Sequence, residues 1–588
     1  MNAGGRVSGA HEAIQESEEV RAWLARLAHP RYELAEAGEH GRARVPVLYT
    51  QIDRSRRRAA TELRSRLMKN RDQASACGGC PFHRRQFLAA GCAACAGAMG
   101  LTRWAHATRA SDDNKLRVRI IYSLHAEVQP GPDWPNVGFD FRPVMREIET
   151  TLKNGCPDIE FVSSMATGRE QAVQIVEQDK SARIDGYIVY QLNCWNQVVQ
   201  TMVATGKPVL YVDFLYGGSG GFLVYTAGLM KTHPNFGFLS SSRMSDVVQA
   251  AKCLKLANNG AAAGFGDAVA RVRQELTQAP GDLSCGPDPV KTLPVADWRT
   301  ALRQSKILLV GRELGGSGAK IKEELGIEVV EVPFGVVNDA WSKADKDQAR
   351  AIADRWQSGA EMIADVTRAE LENSAAMFLG MKSVLKEQNA NAITINCLGG
   401  FYGGHIHAYP CLGFHELCNE GLIGGCEGDV RSAVTMVALS ALTHGRTGFI
   451  SDPVMDVARR QIIYAHCVAS NRAFGPAGPQ NPYEILTHSE DRQGAAVRSL
   501  QPAGYMTTTV EFEASRKQIL FHQGKSVDNI RDDRACRTKL AVEPVGDFEK
   551  LFRYWDEWGW HRVTAYGDLK EPIFALADAI GWKVVQEA

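Results

Sequence analysis

Two acidic residues in the last third of this 588-residue chain stand where their carboxylates could act together. Glu427 lies in Cys426-Glu427-Gly428-Asp429, directly before an apolar stretch that reads as a helix over 430–444, closed by Gly445 and capped at its start by Asp429. The strand GFISD, 448–452, follows and puts Asp452 at its carboxyl end. A helix of about 15 residues is roughly 22 Å long, so a strand returning along it can bring the second carboxylate back beside the first. Moving a carbonyl between neighbouring carbons of a polyol needs groups that take and return a proton, and something to hold the developing enediolate charge. A divalent ion does the latter. Carboxylate oxygens with one imidazole suit Mn²⁺ or Mg²⁺, and three protein ligands on an octahedral ion leave room for two substrate oxygens and a water.

The elements that must position these residues are legible as alternating runs. From Leu116 onward, apolar stretches such as LRVRIIYSL, IDGYIVYQL (184–192) and KPVLYVDFL (207–215) alternate with amphipathic ones, the pattern of βα units forming a doubly wound parallel sheet over 115–277. Residues 278–300, rich in Pro, Gly and Asp towards their start, read as a linker. A second α/β series occupies 301–435, with strands at 305–311, 326–334 and 392–398 and helices near 348–357 and 377–388. Period-two strands at 504–513 and 517–525 place a mainly antiparallel, barrel-like domain over 436–588. The fold class is therefore α/β: two doubly wound lobes followed by a β-barrel-like domain.

Five segments then carry a family resemblance: CEGDVRSAVTMVALSALTHGRTGFISDP (426–453), IIYAHC (462–467), YEILTHSE (483–490), GYMTTTV (504–510) and WHRVTAYGDLKEPIFALADAIGW (560–582). Their order and residues resemble the carboxy-terminal half of L-fucose isomerase-like proteins, of the fucose/arabinose isomerase superfamily. That resemblance implies an aldose–ketose isomerase acting on a free monosaccharide through a cis-enediol, using Mn²⁺ or another divalent metal and no nicotinamide. Glu427, Asp452 and His561 align with the family's metal ligands, and Glu427 and Asp452 with its proton-transfer pair. His561 is followed by Arg562, which departs from the expected pattern. The resemblance further implies a homo-oligomer, trimer or hexamer, in which the first domain covers a neighbour's site; Trp195, at the end of a first-lobe strand, becomes a candidate for stacking on a sugar. His466 and His488 are candidates for substrate or metal contact, against the ordinary reading of a histidine satisfied in the core.

Two glycine-rich stretches are set against phosphate binding. Gly311–Gly318 fits neither GxGxxG nor a Walker sequence and reads as a tight βα turn, and Gly217–Gly221 as a flexible loop. Cys397, Cys411, Cys418 and Cys426 read as packing thiols.

Lys plus Arg equals Asp plus Glu, 67 against 67, so no global charge draws in nucleic acid, and no apolar run is long enough for stable membrane insertion. Residues 1–67 read as an extension or as a start annotated too far upstream of Met68. Residues 68–110 have signal-peptide anatomy, with Arg84-Arg85-Gln86-Phe87-Leu88 resembling the twin-arginine motif and Ala105-His106-Ala107 a cleavage site. Export through the twin-arginine translocase to the periplasm follows; without the leader the protein would be cytoplasmic. The pairs Cys77/Cys80 and Cys92/Cys95 have metal-site spacing but fall in this leader. Two other readings stay open: an exported sugar-binding protein without catalysis, and another metal-dependent reaction on a polyol or sugar acid.

Overall fold

The structure, a computed structural model, describes residues 115–259, 262–315 and 317–588. The expected extension, the twin-arginine leader and the cysteine pairs within it lie outside the described residues.

The first lobe is a parallel sheet of five strands in the spatial order Ile159–Ala166, Leu116–Ser123, Gly186–Gln191, Val209–Asp213, Phe236–Leu239. Gly186–Gln191 and Val209–Asp213 are buried at every position, which is why they appear in the sequence as unbroken apolar runs rather than alternating ones. The winding direction switches between Leu116–Ser123 and Gly186–Gln191, the first and third strands in sequence, and the crevice beyond their carboxyl ends is where an open sheet of this kind presents its loops.

Gly217–Gly221 is not a flexible loop. It runs into the helix Ser219–Met230, and these glycines let that helix press against the loop after Gln191: a Cβ at Gly218 would overlap the Gln191 carbonyl, and one at Gly221 would lie 2.9 Å from the Trp195 amide nitrogen. Gly311 behaves as expected of a βα turn, with φ +71° and the Phe334 ring against its α-carbon.

The second sheet is also parallel, in the order Ile423–Gly425, Ala392–Ile395, Lys306–Val310, Glu328–Val332. Part of the expected linker is ordered helix, Val295–Arg303, whose Trp298 donates to the Ala438 carbonyl at 2.9 Å. The helix Val430–Leu442 spans the expected boundary between 435 and 436, and its apolar face joins one continuous core with the second sheet and the barrel.

The carboxy-terminal region closes on itself as an antiparallel barrel: Met506–Glu513, Arg562–Tyr566, Phe449–Asp456, Gln461–His466, Thr538–Pro544 and Gln518–Asn529, which returns to Met506–Glu513. Lys583–Gln586 adds in parallel along Gln518–Asn529. Closure leaves these strands almost wholly buried. Among the described residues no helix is long and apolar enough to cross a membrane.

Candidate metal and proton-transfer site

Glu427 stands two residues beyond the edge strand Ile423–Gly425, in a turn that closes when Gly428 N–H donates to the Ile395 carbonyl at 2.8 Å. Its own φ is +61°, a conformation that costs a non-glycine residue energy and that surrounding structure must impose. Asp429 next starts the helix as expected: its Oδ1 accepts from the amides of Arg431 at 3.0 Å and Ser432 at 3.2 Å.

Asp452 is not at a strand end but in the middle of Phe449–Asp456. The strand expected over 448–452 instead runs on through Pro453, a residue with no N–H to give to a ladder. The barrel tolerates Pro453 because the ladder with Arg562–Tyr566 ends at Ser451, so from Asp452 onward that edge asks for no N–H from this strand. The same ladder brings the imidazole in. Ser451 pairs with Arg562, so one further step in this antiparallel register sets Asp452 against His561. On the other edge Asp452 pairs with Ala465, and His466 follows.

Glu427, Asp452, His466 and His561 thus converge, each offering a ligand atom within 4.8 Å of the others. His561 Nε2 lies 3.0 Å from Asp452 Oδ1 and 3.5 Å from Glu427 Oε2. His466 Nε2 lies 3.8 Å from Glu427 Oε1 and 3.9 Å from Asp452 Oδ2. Asp452, His466 and His561 are buried, whereas the Glu427 side chain is 28% exposed and marks the open side of the cleft.

The two histidines are not equivalent. Nδ1 of His561 meets Asp429 Oδ2 at 2.9 Å, so the ring proton belongs on Nδ1 and the Nε2 lone pair faces the carboxylates. His466 has the reverse arrangement: its Nδ1 accepts from the Cys467 amide at 3.0 Å, which puts the proton on Nε2. His561 is therefore set up as a ligand and His466 as a donor.

The donor set fits a divalent cation. Asp452 Oδ1, His466 Nε2 and His561 Nε2 are buried yet make no hydrogen bond, so the 3.0 Å approach of the first and last is a meeting of two acceptor directions more than a bond. Burial alone would raise the Glu427 carboxyl, but the positive charge of the His561 and His466 imidazoles outweighs that and lowers it to about 2. Asp429 is likewise held below the carboxylate range against burial, and His561 is driven well above the usual histidine value by Glu427 and its acidic partners. The cluster calls for positive charge at Nε2 of His561, and a metal ion supplies it as well as a proton does.

His488 lies outside this cluster. Its Nδ1 is 3.2 Å from Asp491 Oδ1, its ring packs on Phe401 and Tyr409, and the Asp491 hydrogen bond carries its pKa up to about 9 despite burial. Trp195 is 37% exposed, has φ +60°, and stands edge-on to Trp560 with centroids 6.1 Å apart. Trp560 immediately precedes His561 in the chain, so a first-lobe aromatic packs, within one chain, on the residue adjoining a member of the cluster. Trp134 flanks Trp560 from the same lobe at 6.4 Å.

The sequence alone does not show the second role of Asp429, the packing of Trp560 on Trp195 and Trp134, or Glu490, whose burial raises its carboxyl to about 8 and which accepts from the Tyr402 hydroxyl at 2.7 Å. Only Trp560 carried a local signal, its adjacency to His561.

Fold and site together define a mixed α/β protein whose barrel and second sheet share a carboxylate–imidazole cluster suited to a divalent cation. No protein-family model matches the chain. It is 28% identical to the sulfoquinovose isomerase of Clostridium sp. (strain MSTE9) over 208 residues, 33% of this chain and 44% of that enzyme. It is 23% identical to that of Priestia aryabhattai over 200 residues, again 33% and 44%. The chain thus matches less than half the length of these curated relatives. Among solved structures, a sugar ABC transporter protein from Yersinia enterocolitica subsp. enterocolitica 8081 aligns with TM-score 0.14 and 12% identity over 48% of this chain and 65% of that one.

Proposed function

We propose that the chain is a divalent-metal-dependent aldose–ketose isomerase of the fucose/arabinose isomerase type. The observation that carries this reading is the convergence of Glu427, Asp452 and His561 in a half-open cleft, with buried acceptor atoms that no protein group satisfies. The similarity to sulfoquinovose isomerases supports it from a separate direction.

Glu427, Asp452 and His561 would hold the ion, Mn²⁺ being the first choice and Mg²⁺ the second. When bound, it would polarise the carbonyl and stabilise negative charge on the sugar oxygens. The protein groups do the rest. One of the two carboxylates takes the proton from the carbon beside the carbonyl, exchanges it with water on the open side of the cleft, and the pair delivers a proton to the neighbouring carbon, so no nicotinamide is needed. His466, with its proton on Nε2, is placed to donate to a substrate oxygen. Trp195 and Trp560 form a wall for the apolar face of a sugar. Asp429 keeps His561 in the tautomer and orientation that ligation requires.

The same reading includes export by the twin-arginine translocase and assembly into a trimer or hexamer. It is tested by loading the full chain with Mn²⁺ and screening aldoses and ketoses for interconversion, beginning with sulfoquinovose. Ketose formation that stops on chelation supports the proposal; a fully metal-loaded chain that converts none of the sugars refutes it.

A further inference from the structure

The wall behind Glu427 contains a pair of thiols that the proposed reaction does not use. Cys397 opens the short helix after the strand Ala392–Ile395, and Cys426 follows the neighbouring parallel strand Ile423–Gly425. Their sulfurs are 3.1 Å apart, and both residues are buried, at 1% and 4% exposure. The surrounding backbone holds them face to face: Gly425 pairs with Thr394, the Thr394 hydroxyl meets the Cys426 carbonyl at 3.4 Å, and Gly428 N–H donates to the Ile395 carbonyl at 2.8 Å.

We propose that Cys397 and Cys426 are a disulfide-forming pair. A disulfide needs its sulfurs at about 2.05 Å, so bond formation requires a closure of only about 1 Å. The oxidant is a small external disulfide. One cysteine thiolate attacks it, forming a mixed disulfide and releasing one thiol; the second cysteine then displaces the other thiol. Two protein thiols together give up two protons and two electrons, the external S–S bond is broken, and the protein S–S bond is formed. Because both sulfurs are buried, exchange proceeds through local opening of the strand ends. The new bond lies one residue before Glu427, whose left-handed turn the same strand ends impose, so oxidation of this pair acts on the segment that presents that carboxylate.

The test is a thiol map of the full chain. The protein is equilibrated with oxidised glutathione, unfolded in the presence of an alkylating reagent and digested without reductant. The expected product is a cross-linked peptide containing Cys397 and Cys426, two hydrogens lighter than its separated halves and released by reductant. In Cys397→Ser the cross-link disappears and Cys426 is alkylated. The experiment is repeated on chain refolded from denaturant in the same buffer, where the sulfurs are accessible throughout. Free thiols at both positions in both samples, or pairing of either with Cys411 or Cys467, would overturn the proposal.

Discussion

Asp429 and His561, 132 positions apart, are joined by a 2.9 Å contact between Oδ2 and Nδ1 that turns Nε2 of the imidazole onto Asp452. The same carboxylate caps the helix Val430–Leu442 through its other oxygen, so the helix start and the ligand orientation depend on one side chain.

These two duties can be separated. Asn caps a helix about as well as Asp but offers a neutral partner to imidazole. Asp429→Asn is expected to weaken Mn²⁺ binding about 10- to 100-fold while leaving the melting temperature of the metal-free chain nearly unchanged. Calorimetric titration with Mn²⁺ beside thermal melts checks both halves.

Metal should also stabilise the chain, because the buried acceptors of Asp452 and His561 gain a partner on binding. At a free concentration 1,000-fold above Kd the gain is about 4 kcal/mol for a site absent from the unfolded chain. Mn²⁺ is expected to raise the melting temperature of the wild type and not that of Asp452→Asn, and chelation should reverse the rise.

Much of this arrangement could be read before the fold was known, for a physical reason. Glu427, Asp429 and the strand carrying Asp452 are close in sequence, and a helix followed by a returning strand limits where their side chains can meet. The continuous apolar strands and the period-two barrel strands are likewise local signals. The distinction between His561 and His466 is not, since it depends on what each Nδ1 touches: Asp429 for one, the next residue's amide for the other. Gly217–Gly221 misled because composition alone cannot tell a loop that needs freedom from a helix start that needs close contact. The true length of the strand carrying Asp452 was not legible either, because whether a strand can run through Pro453 depends on whether it has a neighbour on both edges.

Asp213, the last residue of the first-lobe strand Val209–Asp213, gives a pH dependence outside the cluster. Burial raises its carboxyl from 3.8 to about 7, although it accepts from Ser219 and Ser240 at 2.8 and 2.9 Å. The folded chain therefore keeps a proton that the unfolded chain has lost between roughly pH 4 and pH 7. The Asp213 contribution makes stability fall as pH rises through that window and level off above it. Asp213→Asn should flatten this part of the profile, measured as the urea midpoint against pH.

Trp195 separates sugar contact from metal contact. It lies beside Trp560 and is not among the converging ligand residues. Trp195→Ala is expected to raise KM about tenfold, with kcat and Mn²⁺ affinity little changed, as for a contact made equally in ground and transition states. A fall in kcat with unchanged KM would instead place Trp195 in the chemical step.

The most direct measurement of the central claim is the isotope content of the product formed in D₂O. The Mn²⁺-loaded chain is incubated with the aldose found in the sugar screen, and the ketose is analysed by mass spectrometry and by NMR after metal removal. The expected result is ketose carrying a solvent deuteron on carbon, with formation abolished by Glu427→Gln. Ketose formed with no deuteron from solvent, or at an undiminished rate in Glu427→Gln, would contradict solvent-exchanging proton transfer by Glu427 and Asp452.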